Sequence, residues 1–122
     1  MRLALVVGVA GALGALARYL VDGAVQDRSR GAFPYGTTVV NVTGSFVLGL
    51  ISSLAWHHGL GSTARAVIGA GFCGAFTTWS TAAWETVRLA EEGLPAHAAM
   101  NALGGLAGAL AAAAAGIALG AL

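Results

Sequence analysis

Apolar residues run almost unbroken through four stretches of the chain, 3–21, 37–56, 65–87 and 96–122, and polar residues gather in the gaps between them. A helix needs roughly 20 mostly apolar residues to cross a bilayer, so each stretch predicts one transmembrane helix. The gaps read as loops. Residues 22–34 hold Asp27, Arg28 and Arg30, 57–63 form a short polar turn, and 88–95 hold Glu91, Glu92 and Gly93. The first run carries Arg18 near its end and lacks a cleavage pattern, so it is expected to stay as a span. The third run differs from the others. Its centre is rich in Gly, Ser and Thr, several weak helix formers in succession, and predicts a broken helix. Irregular backbone at membrane depth persists only where protein or a water-filled cavity satisfies it. The expected fold is an all-α membrane protein, a single domain of four transmembrane helices with the third broken.

Composition sharpens this picture. Hydrophobic residues make up 57% of the 122 and charged residues 9%, against about 25% charge in soluble chains. That is too little charge to coat a water-facing surface. The 19 glycines lie inside apolar runs, where they let helix backbones approach closely. Net charge is +1 with no lysine, which excludes a basic nucleic-acid footprint. The lone Cys73 has no partner for a disulfide or a zinc site. No Ser–His–Asp set, metal-ligand cluster or phosphate loop is present, so an enzyme is not expected. The last span is thin, with unbroken alanine over 111–115, and four thin helices enclose little volume, which predicts an oligomer. Arginine sets membrane orientation. Arg2 and Arg65 on one side face Arg28, Arg30 and Arg88 on the other, two against three. So small a bias allows insertion both ways, and with it an antiparallel, dual-topology dimer.

Polar groups within spans are costly and mark function. Arg18 either reaches the interface and pairs with Asp22 four residues on, or draws an anion towards a vestibule. Thr37, Asn41 and Ser45 fall at i, i+4 and i+8 and make one polar stripe. Such a stripe either joins helices or offers neutral donors to a partly dehydrated ion. In the third span, carbonyls freed by the break are hard oxygen ligands for a small cation such as Na+. Trp79 offers an indole N–H or the positive edge of its ring. Trp56 and Trp84 read as interfacial anchors, and Glu85 as a wet interfacial carboxylate.

These residues resemble the CrcB/Fluc fluoride channels. The resemblance runs through Gly11–Ala12–Leu13–Gly14–Ala15–Leu16–Ala17–Arg18–Tyr19, Pro34–Tyr35–Gly36–Thr37 with Asn41 and Gly44–Ser45–Phe46, and above all Gly71–Phe72–Cys73–Gly74–Ala75–Phe76–Thr77–Thr78–Trp79–Ser80–Thr81 with Glu85 after it. The resemblance implies an antiparallel dimer with two fluoride pathways and a central structural Na+. By position, the Na+ ligands would be the backbone carbonyls of Gly74 and Thr77 from both subunits. Asn41 would donate to fluoride with Thr37 beside it. Trp79 would stand where the family usually has Phe, Ser80 and Thr81 would belong to the polar track, and Arg18 would support the vestibule or the second span. The family usually has a second Phe where this chain has Ala82, and a hydroxyl where it has Gly105.

Fluoride is small and tightly hydrated, so a passage through low dielectric must replace its water with polar groups. Neutral donors bind it without trapping it. The expected function is passive export of cytoplasmic fluoride through the plasma membrane, as a multi-pass protein of a bacterial inner membrane. The partners are fluoride, the lipid bilayer and a second copy, or a homologue that supplies the missing rings. Two rivals stand beside this reading. One is a non-conducting or half-active partner subunit. The other is a small multidrug-type antiporter, which needs a carboxylate deep in its first span, and 3–21 contains none.

Overall fold

Five helices order the chain. They are α1 (Arg2–Arg28), α2 (Tyr35–His57), α3 (62–76), α4 (Trp79–Glu91) and α5 (Pro95–Gly120). The structure, a computed structural model, describes all of residues 1–122, and every regular element in it is helical. Helices α1, α2 and α5 are each long and apolar enough to cross a membrane by themselves. Helices α3 and α4 follow one another through the third apolar run and are separated by two extended residues, Thr77 and Thr78. The break expected from the Gly, Ser and Thr content is therefore present. Residues 66–73 of α3 and 100–104 of α5 wind in wider π-helical turns, a geometry that appears mostly as local bulges and often at functional sites.

Two boundaries differ from expectation. Residues 22–28, expected in the first loop, continue α1. Gln26 explains part of this: its Nε2 donates to the Phe33 carbonyl at 3.3 Å, and its Oε1 accepts from Gly36 N–H at 3.5 Å. The end of α1 is thus tied to the start of α2. Likewise α4 runs on to Glu91, which leaves a tight turn before Pro95. Gly93 makes that turn at φ 77°, and Leu94 N–H donates back to the Leu89 carbonyl at 2.9 Å. This is the left-handed glycine stop that closes many helices.

Small residues set how closely the helices pack. A methyl on Gly49 would meet the Ala113 carbonyl, and one on Gly116 would meet the Phe46 carbonyl, so α2 and α5 touch backbone to backbone. On the other side, a methyl on Gly14 would meet the Phe72 carbonyl, which seats α1 against α3. Only 21 of 122 residues are buried, while Leu5, Leu13, Leu103 and Leu110 stay more than half exposed. Water would penalise that much apolar surface; lipid does not, and the packing suits a bilayer as solvent.

Candidate ion pathway at the helix break

The break is held open by one side chain from α2. A continuous helix would give the Thr78 N–H to the carbonyl of Gly74, four residues back. Instead Thr78 N–H donates to Asn41 Oδ1 at 2.7 Å, and Asn41 Nδ2 donates to the Thr78 carbonyl at 2.9 Å. Asn41 therefore satisfies both backbone groups of the extended residue, as a paired strand would. Thr78 then starts α4 as its N-cap: its Oγ1 accepts from Thr81 N–H at 3.2 Å and donates to Thr81 Oγ1 at 2.9 Å. A capping threonine is worth roughly 1 kcal/mol to a helix, so the restart is specified locally as well as by Asn41.

Beside the break lies a cavity of about 440 Å³. One wall is the stripe of α2, with Thr37, Asn41 and Ser45 all facing it. The break contributes Thr77, Thr78 and Trp79. The far wall, from α4 and α5, is lined mainly by small residues, Ala82, Ala83 and Gly105 among them. The positions where a second ring and a hydroxyl were expected from the resemblance are thus the ones that widen this space.

Thr37, Asn41 and Trp79 are brought together here, but Ser80, Thr81 and Arg18 do not line the cavity. Ser80 is exposed, with its Oγ 3.4 Å from Thr78 Oγ1. Arg18 does not pair with Asp22. Its guanidinium lies 3.5 Å from the Thr77 carbonyl, while the Asp22 carboxylate rests against Gly36 in the first turn of α2, where the positive end of a helix favours a carboxylate.

Glu85 is also placed otherwise than expected. It is not a wet interfacial carboxylate but a buried one, 9% exposed. The reason is Thr37, whose hydroxyl donates to Glu85 Oε1 at 2.7 Å. Glu85 Oε2 is buried without a partner. Glu85 also lines a second, smaller pocket of about 260 Å³ with Asp22, Gln26, Trp84 and Arg88. The Thr37–Glu85 bond thus stands between the two spaces. Arg88 makes no ion pair with Glu85; its guanidinium lies 5.5 Å from the Trp84 ring centroid and 3.7 Å from Glu92.

The sequence expectations did not include Asn101 and Thr86. Asn101 is 4% exposed and lines the cavity; its Nδ2 donates to the Ala82 carbonyl at 3.1 Å and to Thr86 Oγ1 at 2.9 Å. The signal was available, since Asn101 and His97 are the only polar side chains in 96–122.

The carbonyls suit a hard monovalent cation. The Gly74 carbonyl has lost its helical N–H partner to Asn41, and the Thr77 carbonyl faces only the long Arg18 contact. Both are neutral oxygens at the break.

The family model described as "CrcB-like protein, Camphor Resistance (CrcB)" matches residues 5–117. The chain belongs to the CrcB family. Among CrcB relatives, the chain is 49% identical over 118 residues to the fluoride-specific ion channel FluC 1 of Leifsonia xyli, covering 97% of this chain and 86% of that one. It is 50% identical over 104 residues to FluC 2 of Haloarcula marismortui, covering 85% and 82%. It is 46% identical over 112 residues to FluC of Chlorobaculum tepidum, covering 91% and 88%.

Proposed function

We propose that this CrcB protein is a fluoride channel that lets cytoplasmic fluoride leave the cell passively and so protects against its toxicity. The observation that carries the reading is the Asn41-clamped break beside a cavity. The clamp fixes neutral backbone and side-chain dipoles in the middle of the third apolar run, where an anion crossing lipid needs its water replaced. No lysine or arginine lines that cavity, so an ion finds donors there without a full charge to trap it.

Four passages through the plasma membrane of a bacterium follow from this reading, with α3 and α4 together making the third. A dimer follows as well. One chain supplies two break carbonyls, Gly74 and Thr77, and these, with the same pair from a second copy, would hold a Na+ that would supply a fixed positive charge at the break. Asn41 and Arg18 bond to the backbone of this segment and would keep the carbonyls oriented. The near balance of arginines, two against three, supports an antiparallel pair. A homologue with larger rings opposite Ala82 is the alternative second subunit.

The test is fluoride efflux from liposomes holding the purified chain, read with a fluoride electrode. Fluoride release with chloride retained is the expected result. Equal leakage of both ions overturns the selectivity, and no release from the chain alone or mixed with a homologue favours a non-conducting subunit. Equilibrium dialysis with radioactive sodium tests the cation independently: about one Na+ per two chains is expected, and none bound overturns it.

A further inference from the structure

Helices α4 and α5 form a hairpin joined at one end and anchored separately at the other. At the closed end the Gly93 turn links them, with Leu94 N–H donating to the Leu89 carbonyl at 2.9 Å. At the open end each arm is held by α2 instead. Asn41 grips Thr78 at the start of α4, and Gly116 of α5 lies against the Phe46 carbonyl. The 440 Å³ cavity lies between these two arms and α2. Packing does not set the separation of the arms beside it. They present Ala82, Ala83, Ala102 and Gly105 there, and nothing lies within 4 Å of a Cβ at Gly105.

Two hydrogen bonds from one buried side chain span the arms. Asn101 Nδ2 donates to the Ala82 carbonyl at 3.1 Å and to Thr86 Oγ1 at 2.9 Å, and no other side chain bonds α4 to α5. The chemistry of this joint demands a double donor. The Ala82 carbonyl can only accept. The Thr86 hydroxyl gives its hydrogen to that same carbonyl at 2.8 Å, so its oxygen accepts too. A flipped amide would set an oxygen against two acceptors, and an aspartate would do the same. Asn101 also lies within the wide turns at 100–104, and such bulges gather at functional sites.

We propose that Asn101 is a positioning residue that fixes the separation of α4 and α5 beside the cavity and so restricts passage to the smallest halide. The proposal rests on the channel reading and adds to it a second clamp, from α5, beside the one that Asn41 makes from α2. Asn101 acts through α4 and not by touching the ion, since both of its N–H groups are given to that helix. Without those bonds the arms can part where only small side chains line the space. A larger anion then fits between them.

Two measurements on the full-length protein test this. The chain has two asparagines, Asn41 and Asn101, so labelling asparagine nitrogen gives two side-chain amide signals in magnetic resonance. The Asn101 pair is expected to exchange slowly with deuterium, and about tenfold faster in Thr86→Val. In the second measurement, liposomes loaded with equal fluoride and chloride report the ratio of the two released. Asn101→Leu and Asn101→Asp should each lower the fluoride-to-chloride ratio about tenfold, through added chloride release, as interhelical hydrogen bonds in a membrane are lost. Thr86→Ser keeps the accepting oxygen and should recover the ratio lost in Thr86→Val. A purely structural role would lower the thermal midpoint and leave the ratio alone. An Asn101 amide that exchanges as fast in the unsubstituted chain as in Thr86→Val, or an unchanged ratio in both Asn101 variants, overturns the proposal while fluoride release by the unsubstituted chain leaves the channel reading intact. Absence of fluoride release from the unsubstituted chain overturns both.

Discussion

Helix α2 has two faces built on opposite rules. The face towards α5 is dry and crowded: Gly49 lies against Ala113, and Gly116 lies against Phe46, with no room for a methyl. The face towards the break carries Thr37, Asn41 and Ser45 and borders open space. The first face holds helices together through van der Waals contact, the force left when lipid removes the hydrophobic drive between helices. The second holds a backbone that would otherwise have unpaired polar groups in hydrocarbon. The lesson of the comparison is that small residues mean different things on the two faces. On the dry face they bring backbones together, and opposite the polar face, at Ala82 of α4 and Gly105 of α5, they leave the cavity wide.

The largest effect should come from filling the dry face. Gly116→Leu places a side chain where the Phe46 carbonyl already stands. Overpacking of this kind costs about 1–3 kcal/mol when neighbours can yield, and more here because the neighbour is backbone. No monodisperse peak on size exclusion in detergent is expected. Gly105→Ser is the contrast, since nothing lies within 4 Å of a Cβ there; it should fold normally and alter only ion flux.

Next in size is the clamp. Asn41→Ala leaves the N–H and carbonyl of Thr78 without their side-chain partner, at a cost of roughly 2–4 kcal/mol. A clear drop in thermal midpoint and loss of fluoride efflux are expected. Thr37→Val should come third. It removes the only hydrogen bond of a buried carboxylate whose other oxygen is already unpartnered. The expected loss is roughly 1–3 kcal/mol by thermal unfolding, largely restored in Thr37→Ser. The smallest effect should be Glu92→Gln, which removes a half-exposed 3.7 Å pair with Arg88. The thermal midpoint should scarcely move, within about 0.5 kcal/mol.

Much of this was legible in the sequence, for local reasons. The broken passage follows from the Gly, Ser and Thr content of 69–81, and the polar stripe follows from four-residue spacing, which places Thr37, Asn41 and Ser45 on one face whatever else the chain does. What was not legible depends on contacts between distant segments. Asn41 meets Thr78 across 37 residues, and Thr37 meets Glu85 across 48. Periodicity reports which way a side chain points along its own helix, not which group waits opposite. That is why the stripe of Asn41 could be read as joining helices or as serving an ion without Thr78 being named as its partner, and why Glu85 read as wet and is buried. The pairing of Arg18 with Asp22 failed for the same reason: sequence distance favoured it, but the Arg18 guanidinium reaches the Thr77 carbonyl at the break while the Asp22 carboxylate lies against Gly36 of α2.

The account turns on neutral dipoles at the clamped break selecting one small anion. The most direct measurement loads liposomes with equal potassium fluoride and potassium chloride, holding either the unsubstituted chain or Asn41→Asp, and follows both anions after valinomycin is added. The account predicts rapid fluoride release with chloride retained, and no fluoride release from Asn41→Asp, whose carboxylate cannot donate to the Thr78 carbonyl and repels an anion. Parallel release of the two halides, or unchanged fluoride release from Asn41→Asp, would contradict it.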